Sequence, residues 1–320
     1  MFSIDQYHAA HNSAVLVGRS SQGTIALTGS DRASFLHSLL TNDIAVLTGG
    51  RGAYAAYLTP QGRMISDMRV IETGTRMLLG VERDIAAPLA ERFDKLVFSE
   101  DVQAKDVAGE LAAIGVHGPS AARMIQNATG VSVNDLTAQY DNMTSESVTI
   151  VRDDALGLPG YDVYVTAGDA GALRAKLIEA GAVTASEETA ETLRIEARRP
   201  RFGIDMSTDT IPLEAGIEDR AISFTKGCYV GQEVIIRVMH RGHGRVARRL
   251  VSILVSGEPV PARGSKIQVG DRIVGEITSA TVSPKMGAPL AFGYVQRDHA
   301  EAGTELTVNG SQARVYQPLN

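Results

Sequence analysis

RRLVSILVSG (248–257), SKIQVG (265–270), RIVGEITSATVS (272–283), APLAFGYV (288–295) and TELTVNGSQARVYQ (304–317) follow one another near the end of the chain. Each is a short run rich in aliphatic and β-branched residues, closed by Gly, Pro, Asp or Asn-Gly. Recurrence at about ten residues, with no helical period, predicts a small barrel or sandwich of about 75 residues. PVPARG (259–264) reads as a turn inside it.

Upstream the pattern changes. AVLVGRSSQGTIALT (14–28) predicts two short strands around a Ser-Gln-Gly turn. Asp31 reads as a helix start, followed by Phe35, Leu36, Leu39 and Leu40 at helical spacing. Residues 53–58 and 64–71 flank TPQGR (59–63) as a hairpin, and 82–96 is helical, with Ile85, Leu89 and Phe93 four apart. A second cycle places strands at 111–116, 147–151 and 161–166, with helices at 118–128 and 168–180. A further helix runs through 191–199 and ends before Pro200, beyond which the helical signal disappears. Strand pairs alternating with helices predict an α+β fold rather than a doubly wound sheet. The expected domains are an α+β region over 1–240, with subdomains near 1–110 and 111–240, and a β-barrel over 241–320.

The 320 residues are 44% hydrophobic and 21% charged, the balance of a soluble globular chain with ample core. Thirty-one basic against 37 acidic residues give a net charge of −6, which argues against general nucleic-acid binding. MFSIDQYHAAHNSAVLV (1–17) has neither a basic n-region nor a long apolar stretch, and no run is long enough to span a membrane. With one cysteine, a cytoplasmic, reducing setting is expected.

Four stretches carry candidate chemistry. Asp67 lies in a hydrophobic strand pattern after the Pro-Gln-Gly turn, where a carboxylate is able to pair with an amine or accept a proton. Asp162, in GLPGYDVYV (157–165), is a second strand carboxylate, able to accept parallel hydrogen bonds from an amidine-like edge such as that of a pterin. Arg194 and Arg198 lie four apart in ETLRIEARRPRFGID (191–205). The fourth stretch, KGCYVGQE, is Lys226, Gly227, Cys228, Tyr229, Val230, Gly231, Gln232 and Glu233. Its glycines permit close backbone approach, and Lys226, Arg237, Arg241, His240 and His243 are nearby cations or potential cations for the thiol. The residue types leave open an inert core cysteine, a reactive thiol, or one that acts with a partner. No zinc spacing is present, so no protein-only metal site is expected.

KGCYVGQE resembles the K-G-C-[aromatic]-x-G-Q-E signature of the YgfZ family, folate-binding proteins related to the glycine cleavage T-protein, aminomethyltransferase. FLHSLLTND (35–43), YLTPQGRMISD (57–67), LPGYDVYV (158–165), LRIEARRPRFGID (193–205), GEITSATVSP (275–284) and LAFGYV (290–295) extend the resemblance over nearly the whole chain. It implies aminomethyltransferase-like domains around a central cavity for tetrahydrofolate or a one-carbon derivative, plus the C-terminal barrel. It implies Asp162 at the pterin edge with Arg194 or Arg237 near it, and Cys228 and Asp67 as the reacting groups. The expected function is that of an accessory factor for assembly or repair of iron–sulfur proteins, affecting tRNA modification indirectly. Its partners would be client iron–sulfur proteins or assembly factors. The alternatives are a folate-dependent aminomethyltransferase and a folate binder without chemistry. Aminomethyltransferases typically carry two adjacent acids where this chain has Ser66-Asp67, a Glu where it has Asp162, and no Lys-Gly-Cys motif.

Overall fold

The computed structural model describes residues 1–240 and 245–319. They fall into two compact units, Met1–Ala55 with Asp67–Ala190, and Ala56–Ser66 with Glu191–Asn320. Arg241 and His243, expected near the thiol, lie outside the described residues.

The first unit begins with α1 (Ile4–Asn12), β1 (Val15–Gly18), β2 (Gln22–Thr28), α2 (Arg32–Leu39), β3 (Arg51–Leu58), β4 (Met64–Glu72), β5 (Met77–Glu82), α3 (Arg83–Asp94) and β6 (Gln103–Asp106). It continues with β7 (Leu111–His117), α4 (Ala121–Thr129), β8 (Asn142–Thr144), β9 (Thr149–Arg152), β10 (Gly160–Thr166), α5 (Ala170–Glu179) and β11 (Val183–Thr184). Two sheets result, ordered β11-β1-β7-β10-β9-β8 and β3-β4-β5-β2-β6. Residues 56–66, the far end of the β3–β4 hairpin, group with the second unit. The α+β reading holds, and strand pairs within each sheet are mostly antiparallel.

Each sheet is closed by helices whose apolar spacing is visible in the sequence. Met124 and Ile125 of α4 and Leu173 and Leu177 of α5 pack with Leu16, Val116, Ile150 and Val163 of the first sheet in one buried cluster. Burying each such side chain contributes about 1.5–3 kcal/mol. Gly130, in the left-handed region at φ 75°, ends α4. In contrast, α1 has a weak apolar pattern. It is started by Ser3, whose side chain accepts from the Gln6 amide, and it buries only Tyr7 and Ala10.

The second unit holds α6 (Glu187–Glu196, which begins in the first), α7 (Pro212–Ala215), α8 (Glu218–Ala221) and α9 (Gln232–His240). The expected loss of helix after residue 200 is therefore corrected. Of these helices, α6 was expected, whereas α7, α8 and α9 are short, with Pro212 at the first position of α7, and bury few side chains, so periodicity does not reveal them.

The barrel is formed by β12 (Arg248–Val255), β13 (Lys266–Val269), β14 (Arg272–Ser283), β15 (Ala288–Gln296), β16 (Glu305–Val308) and β17 (Ser311–Pro318), closed in the order β12-β15-β14-β13-β16-β17. Val251, Ile253, Ile267, Ile277, Val295, Val308 and Val315 fill it. Asn309 and Gly310, both at positive φ, form the two-residue turn between β16 and β17. Closure removes the exposed strand edges that short, apolar strands would otherwise present.

Candidate functional site

The sequence-nominated residues separate into three settings. In the first unit, Asp162 on β10 is 0% exposed. Arg19 donates to its Oδ1 from Nε at 2.8 Å and approaches it from Nη2 at 2.7 Å, while Arg69 of β4 donates from Nη1 to Oδ2 at 2.5 Å. The same Arg69 nitrogen reaches Asp153 Oδ2 at 2.7 Å, and Gln139 and the Ala155 amide complete Asp153 through its Oδ1. Two guanidinium groups and two carboxylates thus neutralise one another inside the protein, and Arg69 and Asp162 join one sheet to the other. Burial alone would raise the pKa of Asp162, but Arg19 and Arg69 hold it far below the usual carboxylate range.

Glycines make room for this cluster. Gly115 is paired with Asp162 and Gly160 with His117 across β7 and β10, and Gly80 is paired with Arg69 across β5 and β4. A Cβ on Gly80 would lie 3.0 Å from Arg69 Nε; one on Gly115 would lie 2.9 Å from His117 Nε2 and 3.0 Å from Arg19 Nε. A Cβ on Gly160 would collide with His117 Nδ1. His117 is itself 0% exposed and takes a hydrogen bond at Nε2 from Arg19 Nη2 at 3.0 Å. Arginine only donates, so the ring is neutral with its proton on Nδ1, an atom that has no hydrogen-bond partner. Burial, reinforced by Arg19, lowers the His117 pKa to about 4.

Asp67, two residues before Arg69 on the same face of β4, is only half-buried. Its Oδ2 accepts a 2.5 Å hydrogen bond from the Tyr54 hydroxyl, and Asn42 Nδ2 fixes the Tyr54 backbone through its carbonyl at 2.8 Å. The preceding Ser66 alternates to the opposite face and is fully buried. A second acid there would be a buried charge, which explains why serine suits this chain. Tyr54, Arg19 and Arg69 were not singled out from the sequence. The signal available was the Asp67/Arg69 spacing of two, which puts both on one strand face.

In the second unit, Arg194 has no donor left for a ligand. Nε and Nη2 grip Glu191 at 2.8 and 2.5 Å, Nη1 serves Asp205 at 2.7 Å and the Arg199 carbonyl at 2.5 Å, and Nη2 also reaches Ser279. Asp205 in turn accepts from Thr278 and Ser279 of β14. The segment 191–205 therefore fastens α6 to the barrel. Arg237 is exposed on α9, which buries only Ile235.

KGCYVGQE is the lead-in to α9. Tyr229 is the buried anchor, with Lys226 Nζ 5.2 Å from its ring centroid, and the Gln232 side chain accepts from the Tyr229 amide at 3.2 Å. Gly231, at φ 84°, lies against the TPQG turn: a Cβ there would collide with the Thr59 carbonyl and stand 3.1 Å from Leu58 Cβ. Gly62 meets Val234 in the same way, at 2.9 Å. The two glycine-containing loops, whose touching residues are 172 positions apart in sequence, thus close on one another within this unit. Gly227, Cys228 and Glu233 are exposed, so the inert-core reading of the cysteine does not hold.

The chain belongs to the glycine cleavage T-protein family: residues 2–226 match the GCVT N-terminal domain and residues 248–316 the glycine cleavage T-protein C-terminal barrel domain. It is 28% identical over 317 residues to the aminomethyltransferase of Bacillus subtilis, covering 95% of this chain and 85% of that protein. It is 29% identical over 309 residues to that of Streptomyces avermitilis, covering 94% and 83%. The fold matches the glycine cleavage system aminomethyltransferase T of Bartonella henselae with a TM-score of 0.90 at 21% identity, over 99% of this chain and 89% of that one. These relatives overturn the expected iron–sulfur accessory function and its client partners, because the proteins similar over the whole chain carry the name of the transferase. Tetrahydrofolate, the one-carbon acceptor of glycine cleavage aminomethyltransferases, agrees with the expected folate. Among the described residues, no helix is long and apolar enough to cross a membrane.

Three outcomes follow from this geometry. Asp162→Ala leaves two buried guanidinium groups short of a counter-charge and is expected to cost about 3–5 kcal/mol in urea unfolding. A melt matching wild type would show that the cluster does not brace the sheets. For His117, the folded pKa of about 4 lies below the ordinary 6.5, so the unfolded chain binds the extra proton first. Its contribution is complete above about pH 6.5 and is lost as pH falls toward 4, by about 3 kcal/mol in all. Stability measured from pH 7 to 4 is expected to fall less steeply in His117→Gln than in wild type. Finally, Gly231→Ala is expected to lose about 1–3 kcal/mol through backbone strain, whereas Gly227→Ala, with open space at its Cβ, stays within about 0.5 kcal/mol. Equal melting shifts in the two variants would refute the packing of Gly231 on the Thr59 turn.

Proposed function

We propose that the protein is a folate-dependent aminomethyltransferase of the glycine-cleavage type, moving a one-carbon unit onto tetrahydrofolate. The observation that carries this reading is Asp67. Of the two strand carboxylates, Asp67 and Asp162, it is the one that remains partly open to solvent, and the Tyr54 hydroxyl holds it in orientation. Asp67 accepts a hydrogen bond from the folate amine and so aims the nitrogen lone pair at the electrophilic one-carbon group. As the new C–N bond forms, the bond from that carbon to its donor group breaks and the donor leaves with the bonding pair; the folate nitrogen becomes acidic and its proton passes to the carboxylate. The Tyr54 hydrogen bond fixes the direction of the carboxylate, so little reorganisation accompanies the step.

Asp162 takes a different part in this reading. Reaching a pterin through it would require displacing Arg19 or Arg69, so its contribution is to hold the two sheets that carry β4 and hence Asp67. Arg194 likewise braces the barrel unit, while Arg237 is left exposed. KGCYVGQE supports placing the chain beside the YgfZ-type members within the family, as a statement of lineage alone. The single exposed thiol of Cys228 supports a reducing, cytoplasmic setting.

The test is tetrahydrofolate-dependent release of ammonia from an aminomethylated lipoyl carrier protein. Wild type is expected to turn over at about 1–10³ s⁻¹. Asp67→Asn is expected to lose at least about 10²-fold in kcat/KM with an unchanged melting temperature. A wild-type protein that releases no ammonia with either free or carrier-bound lipoyl substrate, or an Asn variant with full activity, would overturn the reading.

A further inference from the structure

The barrel carries a groove of about 430 Å³ that the proposed transferase reaction does not use. It lies where β12, β13, β16 and β17 meet, and its lining includes Leu254, Gln268, Glu305, Thr307, Gln312 and Arg314. Strand alternation sets the position of these side chains. Leu306, Val308, Ala313 and Val315 point into the barrel and are buried, so Glu305, Thr307, Gln312 and Arg314 stand on the outer face between them.

Glu305 and Arg314 are direct cross-strand partners in the β16–β17 register. Opposite charges so placed ordinarily pair. Lys266 and Glu276, direct partners on β13 and β14 of the same barrel, form an ion pair. Glu305 and Arg314 do not: among the described residues neither side chain makes an ion pair or hydrogen bond, and the side chains of Gln268, Thr307 and Gln312 are equally without partners. A cation and an anion thus stand exposed and unpaired at the wall of a concave site, beside amides and a hydroxyl that both donate and accept, with Leu254 as an apolar contact.

We propose that this groove binds a small zwitterion, an α-amino acid, with Arg314 on its carboxylate and Glu305 on its ammonium group. A zwitterion supplies each free charge with its complement, and bridges a pair that does not close on itself. Simple anions and cations satisfy only one side and leave the other charge facing its like or nothing. Gln268, Thr307 and Gln312 hydrogen-bond the same polar groups, and Leu254 takes an aliphatic side chain. The volume suits a ligand of this class, since pockets for small molecules begin at about 300 Å³.

The experiment is a titration of the intact protein with L-leucine, followed by amide chemical shifts and by calorimetry. L-Leucinamide, which lacks the carboxylate, and 4-methylpentanoate, which lacks the ammonium group, serve as the paired controls. Saturable shifts confined to β12, β13, β16 and β17 are expected, with Arg314→Gln and Glu305→Gln each weakening binding at least tenfold and both controls binding at least tenfold more weakly. The replaced side chains are exposed, so both variants are expected to melt as wild type. Absence of saturable shifts up to about 50 mM leucine, affinity unchanged in either variant, or equal binding of either control would overturn the proposal. Because tetrahydrofolate-dependent turnover is read in a separate assay, failure of this site and failure of the transferase reading are distinguishable.

Discussion

Arg69 and Arg19 meeting on Asp162 is the contact on which the first unit depends. A carboxylate with no solvent exposure is tolerable only when its charge is balanced and its oxygens are hydrogen-bonded, and here two arginines supply both. Arg69 comes from β4 of one sheet and Asp162 from β10 of the other, so the ion cluster is also the tie between two separately hydrogen-bonded sheets. The local sequence complies: the strand residues facing these side chains are Gly80, Gly115 and Gly160, where any Cβ would crowd a guanidinium or the His117 ring. His117 stays neutral in the middle because burial and Arg19 disfavour a third positive charge.

That arrangement divides the acidic residues by role. On β4 the period of two places Ser66 inward and Asp67 with Arg69 on the other face. Arg69 is committed to the cluster, while Asp67, one pleat away, is half-buried and oriented by Tyr54. A strand that is anchored two residues further on is a precise carrier for a carboxylate, which is what the proposed transfer step asks of Asp67. In the second unit the same economy appears in Arg194, whose donors are all spent joining α6, Asp205 and β14. Arginines that look available in one dimension are structural in three.

Local regularities made much of the fold legible. Ten-residue recurrence of β-branched runs defines the barrel strands, and four-residue apolar spacing defines α3, α4 and α5. The small helices α7, α8 and α9 were not legible, since a single turn or two buries too few residues to leave a period. Of the site, the presence of Asp67, Asp162, Arg194 and Cys228 was legible, but their availability was not. Exposure depends on residues distant in sequence: Asp162 is sealed by Arg19, 143 positions away, and by Arg69, 93 positions away.

KGCYVGQE shows the same division on a smaller scale. From its sequence alone come the permissive glycines, the single thiol, and the resemblance that led to a folate-binding fold. Only the tertiary structure decides that Gly231 is the residue pressed against the Thr59 turn, that Tyr229 is the buried anchor, and that Cys228 faces outward. The sequence by itself determined the α+β class, the barrel and the set of chemically able side chains, because these follow from periodicity and residue type within a dozen positions. The tertiary structure decided which of those side chains are spent on holding the fold and which stay open to solvent, because charge neutralisation and steric exclusion act between residues that only folding brings together.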